Sequence, residues 1–487
     1  MNLCNINHGF NYEFEKLCRI FMPYEKINIL NEVKPDEVYA VCRLDRESRL
    51  SEAVLFAYGK EFSYKENYEG DGDKDAELSL ASCLYRCFSE ATGYTAEWGL
   101  LTGVRPVKLY SSLRREVGKA ETDRYFKEKL LVSDDKINLC YSTMEPEENI
   151  IAKSRPQSFS LYVSVPFCPS RCSYCSFVSH SVDKADKLIE PYCELLCKEI
   201  AETARIAKEN ELKLETVYIG GGTPTALSAE QLRKVMSAIA ENFDLSEILE
   251  YTVEAGRPDA TDKDKLIAIR DGGATRISVN PQTMNNSVLE AIGRRHTAEQ
   301  TVETFKLARS LGFDNINMDL IAGLPTDTLD GFKRTIDEVL ELDPESVTVH
   351  SLSIKKASGI SASGAFPDAE VGKTASDMVR YAKDTLEGRG ILPYYMYRQS
   401  KTVGNLENVG YAKKGAECLY NVYIMDETHT ILACGASAVT KLREPDGPFI
   451  DRIYNFKYPY EYISRFDELM ERKKGITEFY RQYKHTK

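Results

Sequence analysis

Three cysteines in Cys168-Pro-Ser-Arg-Cys172-Ser-Tyr-Cys175 point most directly to chemistry in this 487-residue sequence. With three and then two residues between them, one loop can turn three thiolates toward a common centre. Three thiolates leave a cubane iron–sulfur cluster one protein ligand short of its usual four. An iron left open can bind a substrate or cofactor, much as a catalytic zinc keeps one position free. The alternatives are a buried, inert set of thiols, or zinc with His180 as fourth ligand. Zinc ligands usually come as two pairs, a pattern this spacing lacks.

Other reactive residue types recur further along. Gly220-Gly-Gly-Thr-Pro-Thr225 lets the backbone approach a ligand closely. It lacks the Gly-Lys-Ser/Thr ending of a phosphate loop and the spacing of a dinucleotide fingerprint. Glu254, Gln282 and Asp319 offer acceptors suited to ribose hydroxyls or an amino group, and Arg294 can pair bidentately with a carboxylate. Tyr162 and Tyr174 flank the cysteines and can stack on a flat base. Singly, the glycines are equally well explained by a tight turn, and an isolated acid or Arg is better explained by a rim salt bridge. Together they describe a pocket for a molecule with an amino-acid end, a ribose and an aromatic base.

The elements that must position them alternate regularly from Ser158. Strands are expected at Ser160–Val165, Thr216–Ile219, Leu249–Glu254, Arg276–Val279, Asn315–Leu320 and Ser346–Leu352. Helices are expected at Leu188–Lys208, Ala229–Asn242, Asp262–Asp271, Ala298–Leu311, Leu329–Glu341 and Thr374–Arg389. Such βα alternation predicts parallel strands with right-handed crossovers. Periodicity alone leaves open a partial barrel or a doubly wound sheet. Each strand ends in something polar: the triplet, the glycines, Glu254, Asn280-Pro-Gln282, Asp319 and His350-Ser351. Ligand chemistry in such folds gathers at the strands' C-terminal ends.

Residues 1–157 read as an N-terminal α+β domain. Strands are expected at Glu37–Leu44 and Glu52–Tyr58, a loop at Asn67–Lys74, and helices at Glu77–Thr92 and Glu121–Ser133. A linker is expected at Glu145–Pro156. Residues 158–390 form the βα unit, and 391–487 a small C-terminal module covering it, with strands at Tyr420–Met425 and Thr430–Cys434 and a charged, partly helical tail from Phe456. Trp98–Lys108 reads as a packed turn leading into a helix, with Arg105 and Lys108 as possible contacts to an anionic substrate.

Composition bounds the rest. A hydrophobic content of 43%, 28% charged residues and a net charge of −12 fit a globular enzyme and disfavour a general nucleic-acid binder. No apolar run approaches the roughly 20 residues a membrane span needs, and the N-terminus lacks a secretion pattern. The thirteen cysteines are odd in number and widely spread, as expected in a reducing cytoplasm rather than a disulfide framework. Cys193 and Cys197 share a helical face and read as core residues.

The chain resembles the radical S-adenosylmethionine enzymes. Cys168-x3-Cys172-x-Tyr174-Cys175 matches their three-cysteine pattern with an aromatic before the last. The resemblance implies a partial (β/α)6 TIM-like barrel and a 4Fe-4S cluster on Cys168, Cys172 and Cys175. The open iron would be chelated by the amino and carboxylate groups of S-adenosyl-L-methionine. One electron from the cluster would cleave the sulfonium to a 5′-deoxyadenosyl radical, which takes hydrogen from substrate.

Leu161–Cys168, Tyr218–Thr225, Gly293–His296 and Asn317–Pro325 resemble, more narrowly, the oxygen-independent coproporphyrinogen III oxidase/dehydrogenase group. Leu101-Thr-Gly-Val-Arg-Pro106 and the extended N-terminal region resemble its long HemZ-type branch. That implies a cofactor site lined by Tyr162, Tyr174, Gly221, Gly222, Thr223, Glu254, Gln282, Arg294 and Asp319. The implied reaction is oxidative decarboxylation of two coproporphyrinogen III propionates to the vinyls of protoporphyrinogen IX, in a monomer reduced by a flavodoxin- or ferredoxin-type donor. No catalytic residue is assigned beyond the cluster and cofactor. Arg105, Lys108, Arg398 and Tyr394–Tyr397 are candidates for holding the anionic tetrapyrrole. Ser164 and Phe177 stand where the better-known branch has a histidine and a fourth cysteine. A haem-binding, chaperone-like protein and a radical-methylating, haem-ring-opening enzyme are the alternatives, although the chaperones' His-Asn-x-x-Tyr-Trp motif is absent from this sequence.

Overall fold

The computed structural model describes residues 1–70, 72–177, 179–354 and 369–484. An N-terminal sheet of β1 (Asn2–Ile6), β2 (Asn28–Leu30), β3 (Tyr39–Asp45), β4 (Leu50–Ala57) and β5 (Lys60–Asn67) has the order β2-β1-β3-β4-β5. The expected pair corresponds to β3 and β4, whose alternating burial carries the signal. Strands β1, β2 and β5 go beyond that expectation; β5 exposes every other residue, Glu61, Ser63, Lys65 and Asn67, as edge strands do. Helices Asn11–Phe21 and Asp73–Thr92 share a core with this sheet.

The second sheet holds the site. After β6 (Ser158–Val165) comes a short pair, β7 (Phe167–Cys168) and β8 (His180–Ser181). Then follow β9 (Lys213–Gly221), β10 (Glu250–Glu254), β11 (Arg276–Ser278), β12 (Ile316–Ala322) and β13 (Ser346–Ser351). Strands β6, β9, β10, β11, β12 and β13 lie side by side in chain order, all parallel. That winding is a barrel's; a doubly wound sheet reverses its order at a switch point. Strands β14 (Leu392–Arg398) and β15 (Glu407–Ala412) extend the β13 edge. Strands β16 (Thr430–Cys434), β17 (Val439–Arg443) and β18 (Ile450–Tyr454) extend the β6 edge. The outermost strands, β14 and β18, do not pair, so the barrel stays partial.

The crossover helices fall where their caps direct. Ala229–Asn242 and Ala298–Ser310 each begin with a reciprocal capping box, Ser228 with Gln231 and Thr297 with Gln300. Asp262 and Thr328 cap Lys263–Asp271 and Leu329–Glu341. Among the described residues no helix is long and apolar enough to cross a membrane.

Three expectations are corrected. Tyr420–Met425 is not a strand but part of helix Leu419–Asp426. Its aromatic, β-branched run suits a strand, but the Glu250 carboxylate accepts the Leu419 and Tyr420 amides and so fixes a helix N-terminus there. The Glu145–Pro156 linker is instead largely the last turns of helix Asp134–Ile151, which continues through Pro146 with Met144, Glu147 and Ile150 buried. Tertiary packing outweighs the proline penalty. The helix expected at Glu121–Ser133 is shorter, Lys119–Arg124 followed by a wider turn to Lys129.

Between Trp98 and Met144 most buried side chains join the barrel's core, while Leu100 belongs to that of the N-terminal sheet. The tie is polar and buried: Trp98 Nε1 and Lys136 Nζ both donate to the Glu407 carboxylate at 2.7 Å. At the other edge, Glu199 accepts from Gly435 N, Tyr462 OH, Asn455 Nδ2 and Lys473 Nζ at 2.7–3.0 Å, joining the C-terminal helices to the barrel.

Candidate active site

A cavity of about 680 Å³ opens within the barrel rim, and all twelve residues nominated from sequence for the cluster and cofactor line it. Cys168, Cys172 and Cys175 reach it from the loop after β6. Pairing of β7 with β8 (Phe167 opposite His180, Cys168 opposite Ser181) pins the two ends of that loop. Ser173 N donates to Ile292 O at 3.0 Å, holding its middle. Arg257, which sequence reasoning missed, grips it from within. Its guanidinium donates to Ser170 O (3.3 Å), Ser170 Oγ (3.0 Å) and Cys172 Sγ (3.6 Å), and is itself held by Asp259 at 2.8 Å. Its position just past Glu254, at the end of a rim strand, was the available signal.

The glycines are required by that loop. Gly221 has φ of 112°, and a Cβ on it would stand 2.9 Å from Val165 N. A Cβ on Gly222 would stand 2.6 Å from Phe167 O and 3.0 Å from Cys168 Sγ. The Gly222 and Thr223 amides donate to Val165 O and Phe167 O at 2.8 Å, and Thr223 Oγ1 lies 3.5 Å from Cys168 Sγ. The run therefore packs the cysteine loop against the end of β9 and keeps Cys168 Sγ uncovered.

Among the described residues no three His, Cys, Asp or Glu side chains converge so as to hold a single metal ion. The three cysteines line one cavity, and three thiols on one loop are a donor set that fits a cluster in which each sulfur takes a separate iron. His180 does not line the cavity; its ring meets Tyr458 edge-on at 6.1 Å. Cys193 is fully buried and Cys197 points to Lys234 O, as core residues would.

The two rim carboxylates are driven apart. Burial is the largest influence on Glu254 and, with the Asp319 charge, pushes its carboxyl up to about 7, although Tyr218 OH donates to it at 2.6 Å. Burial pushes Asp319 upward too, but hydrogen bonds and charge from His350, Asn317 and Thr348 outweigh it and leave the carboxyl below its ordinary value. Asn317 Nδ2 donates to it at 2.7 Å and His350 Nε2 lies 3.9 Å away. Asp319 is thus a fixed anion, while Glu254 titrates near neutrality. Gln282 takes a left-handed φ of 68°, its amide donating to Asp319 O and its carbonyl accepting from Ile321 N. Arg294 donates to Gly256 O, Asn280 O and Tyr174 OH, leaving Nε without a partner.

The cations expected to hold a tetrapyrrole are not where they were sought. Arg105 pairs with Glu427 at 2.6 Å and Lys108 with Asp426 at 3.3 Å, and neither lines the cavity. Arg398 is buried over the Trp98 ring and donates to Leu101 O and Asn405 O. Tyr394 is buried, whereas Tyr395 and Tyr397 do line the cavity. So do Tyr218, Tyr420, Arg276 and Lys441, none of them nominated beforehand.

Comparison with known proteins agrees with this geometry. The model of the Radical SAM superfamily matches residues 162–339. The "Oxygen-independent coproporphyrinogen-III oxidase-like protein HemZ" of Bacillus subtilis is 37% identical over 413 residues, 83% of this chain and 82% of that protein. The "Heme chaperone HemW" of the same organism is 38% identical over 197 residues, 40% of this chain and 51% of that one. The solved structure of coproporphyrinogen III oxidase (HemN) from Escherichia coli superposes with a TM-score of 0.51 at 23% identity, over 66% of this chain and 72% of that one, and so shares the fold. The chain belongs to the radical S-adenosylmethionine superfamily, which works with a 4Fe-4S cluster and S-adenosylmethionine, and within it to the oxygen-independent coproporphyrinogen-III oxidase-like, HemZ-type group.

Proposed function

We propose that this protein oxidatively decarboxylates two propionates of coproporphyrinogen III, giving protoporphyrinogen IX. The observation that carries the reading is one cavity lined at once by the three thiols and by a wall of tyrosines with unpaired cations beside it. Likeness to the HemZ protein along most of both chains supports it. When bound, the cluster and cofactor supply one-electron chemistry that removes a hydrogen atom from an unactivated carbon.

The chain's own part is to bind, orient and exclude water. Cys168, Cys172 and Cys175 would hold three irons of the cluster, and Arg257 fixes the middle cysteine. Arg294 would pair with the cofactor's carboxylate and Asp319 with its amino group. Glu254 would accept from the ribose, most strongly once ionised above about pH 7. Tyr218 and Tyr420 stack at 4.5 Å beside the site and keep it dry.

A haem-delivery role is the second reading, favoured by the identity shared with heme chaperones over 40% of the chain. Anaerobic incubation of reconstituted protein with coproporphyrinogen III, S-adenosylmethionine and a reductant separates the two. Vinyl products with release of CO2 are expected. Stable haem binding, with cofactor cleavage that leaves coproporphyrinogen untouched, would overturn the decarboxylase reading.

A further inference from the structure

The interior of this barrel is polar where such barrels are normally filled by layers of Val, Ile and Leu. Arg276, Ser278 and Asn280 all line the cavity, as the period of two along β11 dictates. Arg276 begins that strand and so lies deepest of the three, below the rim. It is 2% exposed; its guanidinium donates to Ser346 Oγ at 3.0 Å, and Nε has no partner. Among the described residues no carboxylate pairs with it. Glu250 is engaged by the Leu419 and Tyr420 amides and the Cys418 thiol, and Glu254 by Tyr218 OH.

The Glu250 and Glu254 charges act on Arg276 only through space, without an ion pair, and a guanidinium withdrawn from water without a directly paired counter-ion costs several kcal/mol. An occupant of the cavity that brings a carboxylate would remove that cost and take up the free donors in a planar, forked geometry. A second cation, Lys441 of β17, also lines the cavity, half-buried and without an ion-pair partner among the described residues. Two stacked tyrosine pairs share the lining, Tyr218 with Tyr420 and Tyr395 with Tyr397. Flat apolar walls with two separate cations suit a large ring system bearing several carboxylates.

We propose that Arg276 is the deep anchor for one carboxylate of the tetrapyrrole substrate, and that Lys441 receives a second. The assignment rests on the tetrapyrrole reading of this cavity and adds to it where the ring is gripped. Arg294, already facing the rim where the cofactor's carboxylate is expected, leaves Arg276 for the substrate.

The test uses the reconstituted holoprotein and two stable probes, coproporphyrin III and its tetramethyl ester, titrated by fluorescence quenching. S-adenosylmethionine affinity is measured in parallel by calorimetry. Wild type should prefer the free acid to the ester. Arg276→Gln should bind the acid about 30-fold more weakly, the loss of one hydrogen bond to a charged group, with ester and cofactor affinity unchanged. Arg276→Lys should recover part of the loss, and Lys441→Gln should weaken acid binding about fivefold, as a partly exposed ion pair would. Because Lys441 is half-buried, its variant keeps the test open should Arg276→Gln misfold. Undiminished acid binding in folded Arg276→Gln overturns the anchor while leaving the tetrapyrrole reading in place. Loss of cofactor affinity with acid binding intact overturns it in favour of the cofactor's carboxylate. If wild type binds neither coproporphyrin nor haem, the tetrapyrrole reading falls and the anchor with it.

Discussion

Replacing Arg257 by Gln should make the cluster harder to reduce. The guanidinium donates to Cys172 Sγ from 3.6 Å and is 3% exposed, so solvent screens it little. A unit charge at that distance is worth roughly 4–5 kcal/mol at an effective dielectric of about 20. Two effects reduce it. The added electron spreads over several irons and sulfurs, and Asp259, 2.8 Å from the same guanidinium, cancels part of the field. About a quarter of the figure, ~1 kcal/mol, then favours the reduced state. At ~59 mV for each 1.4 kcal/mol in a one-electron step, this is about 50 mV. The assay is a redox titration of anaerobically reconstituted protein followed by electron paramagnetic resonance. Arg257→Gln should shift the midpoint negative by about 50 mV, and Asp259→Asn should shift it positive by freeing the full charge. An Arg257→Gln protein with full iron content and an unmoved midpoint would show that Arg257 only clamps Ser170 and leaves the sulfur's electronics alone.

Four further outcomes are expected. Cys172→Ala should abolish cluster-dependent cleavage of S-adenosylmethionine while near-native circular dichroism persists; 5′-deoxyadenosine at the native rate would remove Cys172 from the ligand set. Asp319→Ala should weaken cofactor binding by about tenfold in calorimetry, since a charge-assisted hydrogen bond is lost, and unchanged affinity would make that aspartate a partner of His350 alone. Burial, with Asp426 nearby, pushes Glu147 from an ordinary 4.5 up to about 8. Its contribution to stability is therefore full below about pH 4.5 and lost as pH rises toward 8; Glu147→Gln should raise the melting temperature more at pH 9 than at pH 5, and an equal shift at both would contradict this. Glu407→Gln leaves Lys136, 1% exposed, with Glu97 at 3.2 Å as its nearest carboxylate, and should cost about 3 kcal/mol in denaturant unfolding.

The parallel strands and their crossover helices were legible because each is a periodic apolar segment bounded by a cap or a glycine. The cofactor-side residues were legible because a parallel barrel puts chemistry at strand ends, and each of those ends carried an unusual polar residue. Three kinds of information were not local. Tyr420–Met425 has strand composition, and only the distant Glu250 carboxylate decides that it is a helix. Pro146 reads as a break, and only burial of its neighbours keeps the helix whole. Arg105, Lys108 and Arg398 were chosen for charge, yet Glu427, Asp426 and the Trp98 ring had already claimed them. The cavity cations left without a paired carboxylate among the described residues, Arg276 and Lys441, can be recognised only once every carboxylate has been placed.

Ser164 and Phe177, the two departures from the better-known branch, carry less of the specificity than their nearness to the cysteines suggests. Ser164 is 4% exposed and packed between glycines. A Cβ on Gly221 would come within 3.0 Å of Ser164 Oγ, and one on Gly435 within 2.5 Å of Ser164 O. The glycines thus pack closely on Ser164, and Ser164 does not line the cavity. Phe177 does line it but is 70% exposed, at the mouth rather than the floor. The superfamily match ends at residue 339 and includes the three cysteines and every nominated cofactor residue. Tyr395, Tyr397, Tyr420 and Lys441 lie beyond it, on β14, the Leu419–Asp426 helix and β17. A cavity whose cysteine wall comes from the shared segment, and much of whose opposing wall comes from outside it, can change substrate without disturbing the cluster. The choice between decarboxylating a porphyrinogen and carrying a haem is therefore to be sought in those late strands, with Arg276 beneath them, rather than in the cysteine loop.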